Sequence, residues 1–129
     1  MKISDFNIYD WFFINDEVQQ IMPVFIDNVF NGTMPASSVQ PIPLTADILM
    51  ANGFERKYLV SFVRYSLFKN GIVIWAEFDR HCWSIYLVTH KTDCNGFLVE
   101  YVHEMQHLLR MAELNDLADD FKLEKGGEL

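Results

Sequence analysis

Apolar positions occur in short runs through most of the chain and change to a three-and-four spacing only near its C-terminal end. Trp11-Phe12-Phe13-Ile14 and Val18-Gln19-Gln20-Ile21 flank Asn15-Asp16-Glu17, residues that suit a tight turn, so they predict a β-hairpin. A third short strand is expected at 24–30. Asn31-Gly32, Pro35, Ser37-Ser38, Pro41 and Pro43 break any regular element, and 31–43 reads as a loop. Residues 1–30 thus make a small N-terminal β unit. A piece of that size buries too little surface to stand alone, which keeps it in one domain with the rest.

Thr45 is placed to cap a short helix over 46–52, with Leu44 and Leu49 as a hydrophobic staple and Gly53 as the left-handed stop. Aromatic and β-branched residues at 58–68, the turn Lys69-Asn70-Gly71, a strand at 72–78, the turn Asp79-Arg80-His81 and a strand at 82–89 read as an antiparallel meander. A polar loop is expected at 91–96. Leu98, Tyr101, Val102, Met105, Leu108, Leu109 and Ala112 then recur at helical spacing, predicting an amphipathic helix over 98–114 that packs on the meander. The acidic segment 119–129 reads as a frayed tail. The expectation is one α+β domain over 1–129. It comprises the β unit at 1–30, then a short helix, three-stranded antiparallel meander and C-terminal amphipathic helix within 44–118. Met105, Val102, Leu109 and Ile74 are its expected core.

Composition agrees with a folding chain: half of the 129 residues are hydrophobic and 15% are aromatic. The net charge of −8 disfavours phosphate backbones and anionic membrane surfaces, so no nucleic-acid or membrane partner is expected. Cys82 and Cys94 are too few for a disulfide framework and match no zinc spacing, which reads as reduced thiols. Together with the lack of an apolar leader after Met1-Lys2 and of a long apolar run, this points to the cytoplasm.

One motif carries chemistry. His103-Glu104-Met105-Gln106-His107 matches H-E-x-x-H, in which histidines one helical turn apart chelate zinc and the glutamate activates a metal-bound water. The alternative reading is therefore a zinc-dependent hydrolase with His103 and His107 as ligands and Glu104 as the catalytic base. No spacing singles out a third ligand from Glu113, Asp116, Asp119 and Asp120. With Met105 at the centre of the apolar stripe, the histidines fall about 160° away. Between Glu100 and Arg110, they read as solvated residues on a polar face, as do His81 and His90. Trp75, Trp83, Tyr65 and Tyr86 lie on the meander, where core packing accounts for them better than base stacking. Asp79 and Asp93 suggest no carboxylate pair.

Three segments carry a resemblance. They are Pro41-Ile42-Pro43-Leu44-Thr45 running through Ile48-Leu49 to Gly53-Phe54, then Tyr101-Val102-His103-Glu104-Met105-Gln106-His107-Leu108, then Leu117-Ala118-Asp119-Asp120-Phe121-Lys122-Leu123. In this order they resemble a group of short uncharacterised proteins of Bacteroidetes genomes, their phages and mobile elements. The resemblance covers about residues 40–123 and implies a small cytoplasmic accessory protein. It implies a helix motif of the form V-H-x-[LM]-Q, to which Glu104 and His107 are incidental.

The sequence favours a non-enzymatic protein-binding module with no catalytic, cofactor-binding or metal-binding residues, acting on another protein or by self-association. The zinc hydrolase and a small-ligand sequestering protein are the alternatives.

Overall fold

The computed structural model describes residues 9–14, 17–21, 39–88 and 94–123. The fold is α+β, with two antiparallel sheets and, among the described residues, three short helices. The expected strand at 24–30, the residues Asn15 and Asp16, most of the loop at 31–43, His90 and Asp93 lie outside the described residues, as does the segment after Leu123.

The chain contributes to two compact units, one drawn from Met1–Pro43 and Tyr101–Asp120, the other from Leu44–Glu100 and Phe121–Leu129. In the first, strand β1 (Trp11–Ile14) lies between β2 (Glu17–Gln20) and β3 (Val39–Pro41), both antiparallel to it. The hairpin is where the sequence put it, except that Glu17 belongs to the strand and not to the turn. β3 corrects part of the expected loop. A proline fits an edge strand because no ladder donor is needed there, and Pro41 pairs opposite Phe12. The chain then runs beside the start of helix α2 (Val102–Met111), where Val102 N–H donates to the Ile42 carbonyl at 2.8 Å. Phe12, Ile14, Ile21, Val102, Met105, Leu108 and Leu109 are buried.

Helix α2 is shorter than the period of its apolar residues suggested. Leu98 and Val99 end a strand, Tyr101 is the N-cap, and Ala112 closes the helix. Glu113 at φ 63° turns the chain into α3 (Asn115–Asp119). α2 belongs to the first unit, where it packs on β1.

In the second unit, α1 (Ala46–Ala51) begins and ends as expected. Thr45 Oγ1 accepts the Ile48 N–H at 3.2 Å, and Gly53 takes φ +94°. Thr45→Ala removes that acceptor, and about 1 kcal/mol of stability should go with it; thermal unfolding checks this. The sheet runs β4-β5-β6-β7-β8, with β4 at Glu55–Tyr58, β5 at Val63–Lys69, β6 at Ile72–Asp79, β7 at Cys82–Val88 and β8 at Cys94–Val99. Two of these strands correct the sequence reading. β4 is an edge strand whose charges, Glu55, Arg56 and Lys57, hid it. β8 occupies part of the expected polar loop, because Gly96 admits the ring of Tyr86 from β7; a Cβ there would lie 3.1 Å from it. Asn70 and Gly71, both at positive φ, close the β5–β6 hairpin as the sequence indicated.

Alternation along the strands gives the sheet two unlike faces. Tyr65, Ile74, Ala76, Trp83, Ile85 and Val99 are buried on one, where Trp83 Nε1–H donates to the Leu44 carbonyl at 2.9 Å. Arg64, Trp75, Glu77, Tyr86 and Leu98 lie on the other. The expected tail is also corrected in part. Phe121 is 1% exposed, and the Asn52 carboxamide bonds both the N–H and the carbonyl of Lys122 at 2.7 Å. No helix among the described residues is long and apolar enough to cross a membrane.

Candidate functional site

Helix α2 presents the residues of the H-E-x-x-H match, and each of the four polar ones is engaged. Glu104 stands at the third helical position, where a carboxylate reaches back to the uncapped start of its own helix. Its Oε1 accepts the Tyr101 N–H at 3.0 Å. A glutamate so used also sits favourably at the positive end of the helix dipole.

His103 is 8% exposed, so the expectation of a solvated residue is corrected. Its ring stacks on Phe12, with centroids 4.6 Å apart and planes inclined by 27°, and lies 6.0 Å from the Tyr101 ring. The helical wheel misplaced it because α2 is buried on more than its apolar stripe, with β1 packed on it. His103 and His107 meet edge to face at 5.5 Å.

His107 is half-buried and turns its Nε2 to Asp10 Oδ2 at 2.5 Å. Asp10 is fully buried, and its other oxygen accepts from Arg110 Nη1 at 2.6 Å. Arg110 in turn reaches Asp119 Oδ1 through Nη2 at 3.1 Å. Two helical residues one turn apart and two carboxylates, one preceding β1 and one ending α3, thus form a single charged network. A metal ion on His107 Nε2 would have to replace or share the Asp10 contact at that nitrogen, while Arg110 holds the other oxygen of the same carboxylate. Among the described residues no group of three or more His, Cys, Asp or Glu is arranged to hold a metal.

Gln106 completes the face. It is fully buried, its Oε1 accepts the Trp11 N–H, and its Nε2 donates to the carbonyls of Tyr9 and Ala118, all at 2.9 Å. One carboxamide therefore satisfies backbone groups before β1, at its start and in α3. Sequence reasoning passed over Gln106, although a signal was there. It lies four residues after Val102 and three before Leu109, inside the apolar stripe, and a polar residue in that position must find partners. Asp10 gave no such signal.

Of the other candidates, Glu113, Asp116 and Asp120 are exposed, and His81 is an exposed turn residue. The meander aromatics divide. Tyr65 and Trp83 are core residues, as expected, in edge contact at 5.6 Å. Trp75 and Tyr86 are half-buried on the opposite face, and the Arg64 guanidinium lies 4.0 Å from the Trp75 ring centroid. A basic residue does accompany these aromatics, which the sequence reading did not foresee. The chain matches no family model, no curated protein and no solved structure.

Proposed function

We propose that this protein is a small accessory module that works by binding another protein and performs no catalysis. The observation that carries this reading is the outer face of the five-stranded sheet. Trp75 and Tyr86 are directly opposed across β6 and β7, Arg64 lies over Trp75, and Phe68 and Leu98 on the same face are exposed. Trp, Tyr and Arg on a rigid strand scaffold are the residue types that anchor protein interfaces. The face is charge-balanced, with Arg64 bonded to Glu77 at 2.9 Å and Lys57 beside Glu55 on β4. A cytoplasmic role in a phage or mobile element, suggested by the sequence resemblance, is compatible with such a module.

The zinc hydrolase is less well supported. Its base, Glu104, is spent on the helix N-terminus, and His107 on a buried carboxylate. Native mass spectrometry of untagged protein tests the choice. The mass of the chain alone, or of its self-assembly, with no stoichiometric zinc, is expected. One tightly held zinc per chain that is lost in His103→Gln/His107→Gln, with peptide hydrolysis abolished by Glu104→Gln, would establish the hydrolase instead.

A further inference from the structure

Hairpin turns usually carry Gly, Asn, Asp or Pro, because those residues supply the backbone geometry and tolerate water. The turn between β4 and β5 carries Leu59-Val60-Ser61-Phe62 instead, closed by Leu59 N–H donating to the Phe62 carbonyl at 2.9 Å. The large apolar side chains at this apex face solvent. Tyr58 is 75% exposed, Leu59 40%, Val60 108% and Phe62 42%.

Cations stand behind the apex on both strands. Arg56 and Lys57 precede it and Arg64 follows it, and no acidic residue occurs from Arg56 to Arg64. The acidic neighbours are Glu55, further from the apex than Lys57, and Glu77, which pairs with Arg64. Lys57 and Arg64 pair across the two strands, and at the rise of an extended strand that level lies at most roughly 10 Å behind Val60. An amphipathic element resting in a bilayer interface places its apolar part about 5–10 Å into the headgroup and acyl boundary. An apex at that depth sets Val60 and Leu59 among acyl chains. Tyr58 and Phe62 then lie at the interface, where aromatic rings are enriched, and the exposed Arg56 and Lys57 of β4 stand nearest the phosphate layer, Arg64 being held by Glu77.

We propose that the β4–β5 hairpin is a lipid-docking element that inserts Leu59, Val60 and Phe62 into the interface of an anionic bilayer. The inference goes beyond the protein-binding role of the sheet face and does not depend on it. The net charge of −8 does not oppose it decisively, because charges further away than the screening length of about 8 Å contribute little at physiological salt. A pocket on a partner protein could also receive an apolar knob. The order of apolar apex, aromatic ring and exposed cation along β4 favours the layered chemistry of a lipid surface.

Co-sedimentation of the full chain with phosphatidylcholine vesicles, with and without phosphatidylserine, tests this. Binding to the phosphatidylserine vesicles is expected, weakening as salt is raised. Val60→Asp should reduce it by about tenfold or more, since it puts a charge where acyl contact is needed. Its melting temperature should stay at the wild-type value, because a fully exposed side chain has little packing to lose. Lys57→Glu should remove the preference for phosphatidylserine. No association of folded wild-type protein with either vesicle would overturn the proposal, as would binding insensitive to Val60→Asp. Self-association abolished by Val60→Asp, without vesicle binding, would assign the apex to a protein contact and also overturn it.

Discussion

Replacing Gln106 with Leu should destabilise the protein by about 3 kcal/mol or more, although the two side chains are close in volume. The substitution keeps the apolar contacts of a fully buried position and removes three hydrogen bonds at once. What it strands is backbone: the Trp11 N–H and the Ala118 carbonyl, whereas the Tyr9 carbonyl still accepts from Gln20 Nε2 at 3.0 Å. A buried polar group without a partner costs about 1–3 kcal/mol. The bond to Ala118 is wholly buried, and the other two are partly so, which lowers their share. Urea unfolding of the variant measures the sum. A loss below about 1 kcal/mol would mean that water replaces the carboxamide, and that Gln106 does not hold β1 and α3 to the helix.

The same residue shows where sequence stops informing. Elements set by neighbouring residues were legible. Thr45 before an apolar turn and Asn70-Gly71 between two β-branched runs each state their geometry within a few positions. So did burial of Met105, Val102, Leu109 and Ile74, all of which are fully buried. Elements decided by distant pairing were not. β8 contains Asn95 and Gly96 and is a strand because β7 offers a ladder and Tyr86 needs the space over Gly96. β4 carries three charges in four residues and pairs as an edge. The apolar period through Leu98 was genuine, but the helix begins at Val102, after Tyr101 is capped by Glu104. That reach from Glu104 could have been anticipated from a glutamate at the third helical position, which would also have weighed against its use as a catalytic base.

The charged network was the least legible feature, because its members are 97 and 100 positions apart in the chain. Asp10 falls beside a hairpin and reads as an ordinary strand-end aspartate. His107 and Arg110, three apart on a helix, read as surface charges, and only the fold brings β1 against α2. Histidines at helical spacing invite a metal interpretation. Here His107 and Arg110 both contact one buried carboxylate, that of Asp10.

Arg110→Met should therefore cost about 3 kcal/mol, the lower end of the range for breaking a buried ion pair. Asp10 is 0% exposed, whereas the Arg110 side chain retains 20% exposure, so water offsets part of the loss on the arginine side. Methionine preserves most of the aliphatic stem, and the change isolates the guanidinium. The carboxylate then stays buried with its 2.6 Å cation gone. A double-mutant cycle with Asp10→Asn separates this from general damage. If the cost of Arg110→Met comes from a buried charge that has lost its arginine and keeps only its other contacts, His107 among them, the second substitution removes that charge, and the pair should lose clearly less than the sum of the single variants. Salt gives a further discrimination. Exposed ion pairs weaken as ionic strength rises, whereas one whose carboxylate is fully buried is screened much less, so the cost should persist in high salt. Additive losses, or a cost that disappears with salt, would return Arg110 to the surface stripe in which the sequence alone places it.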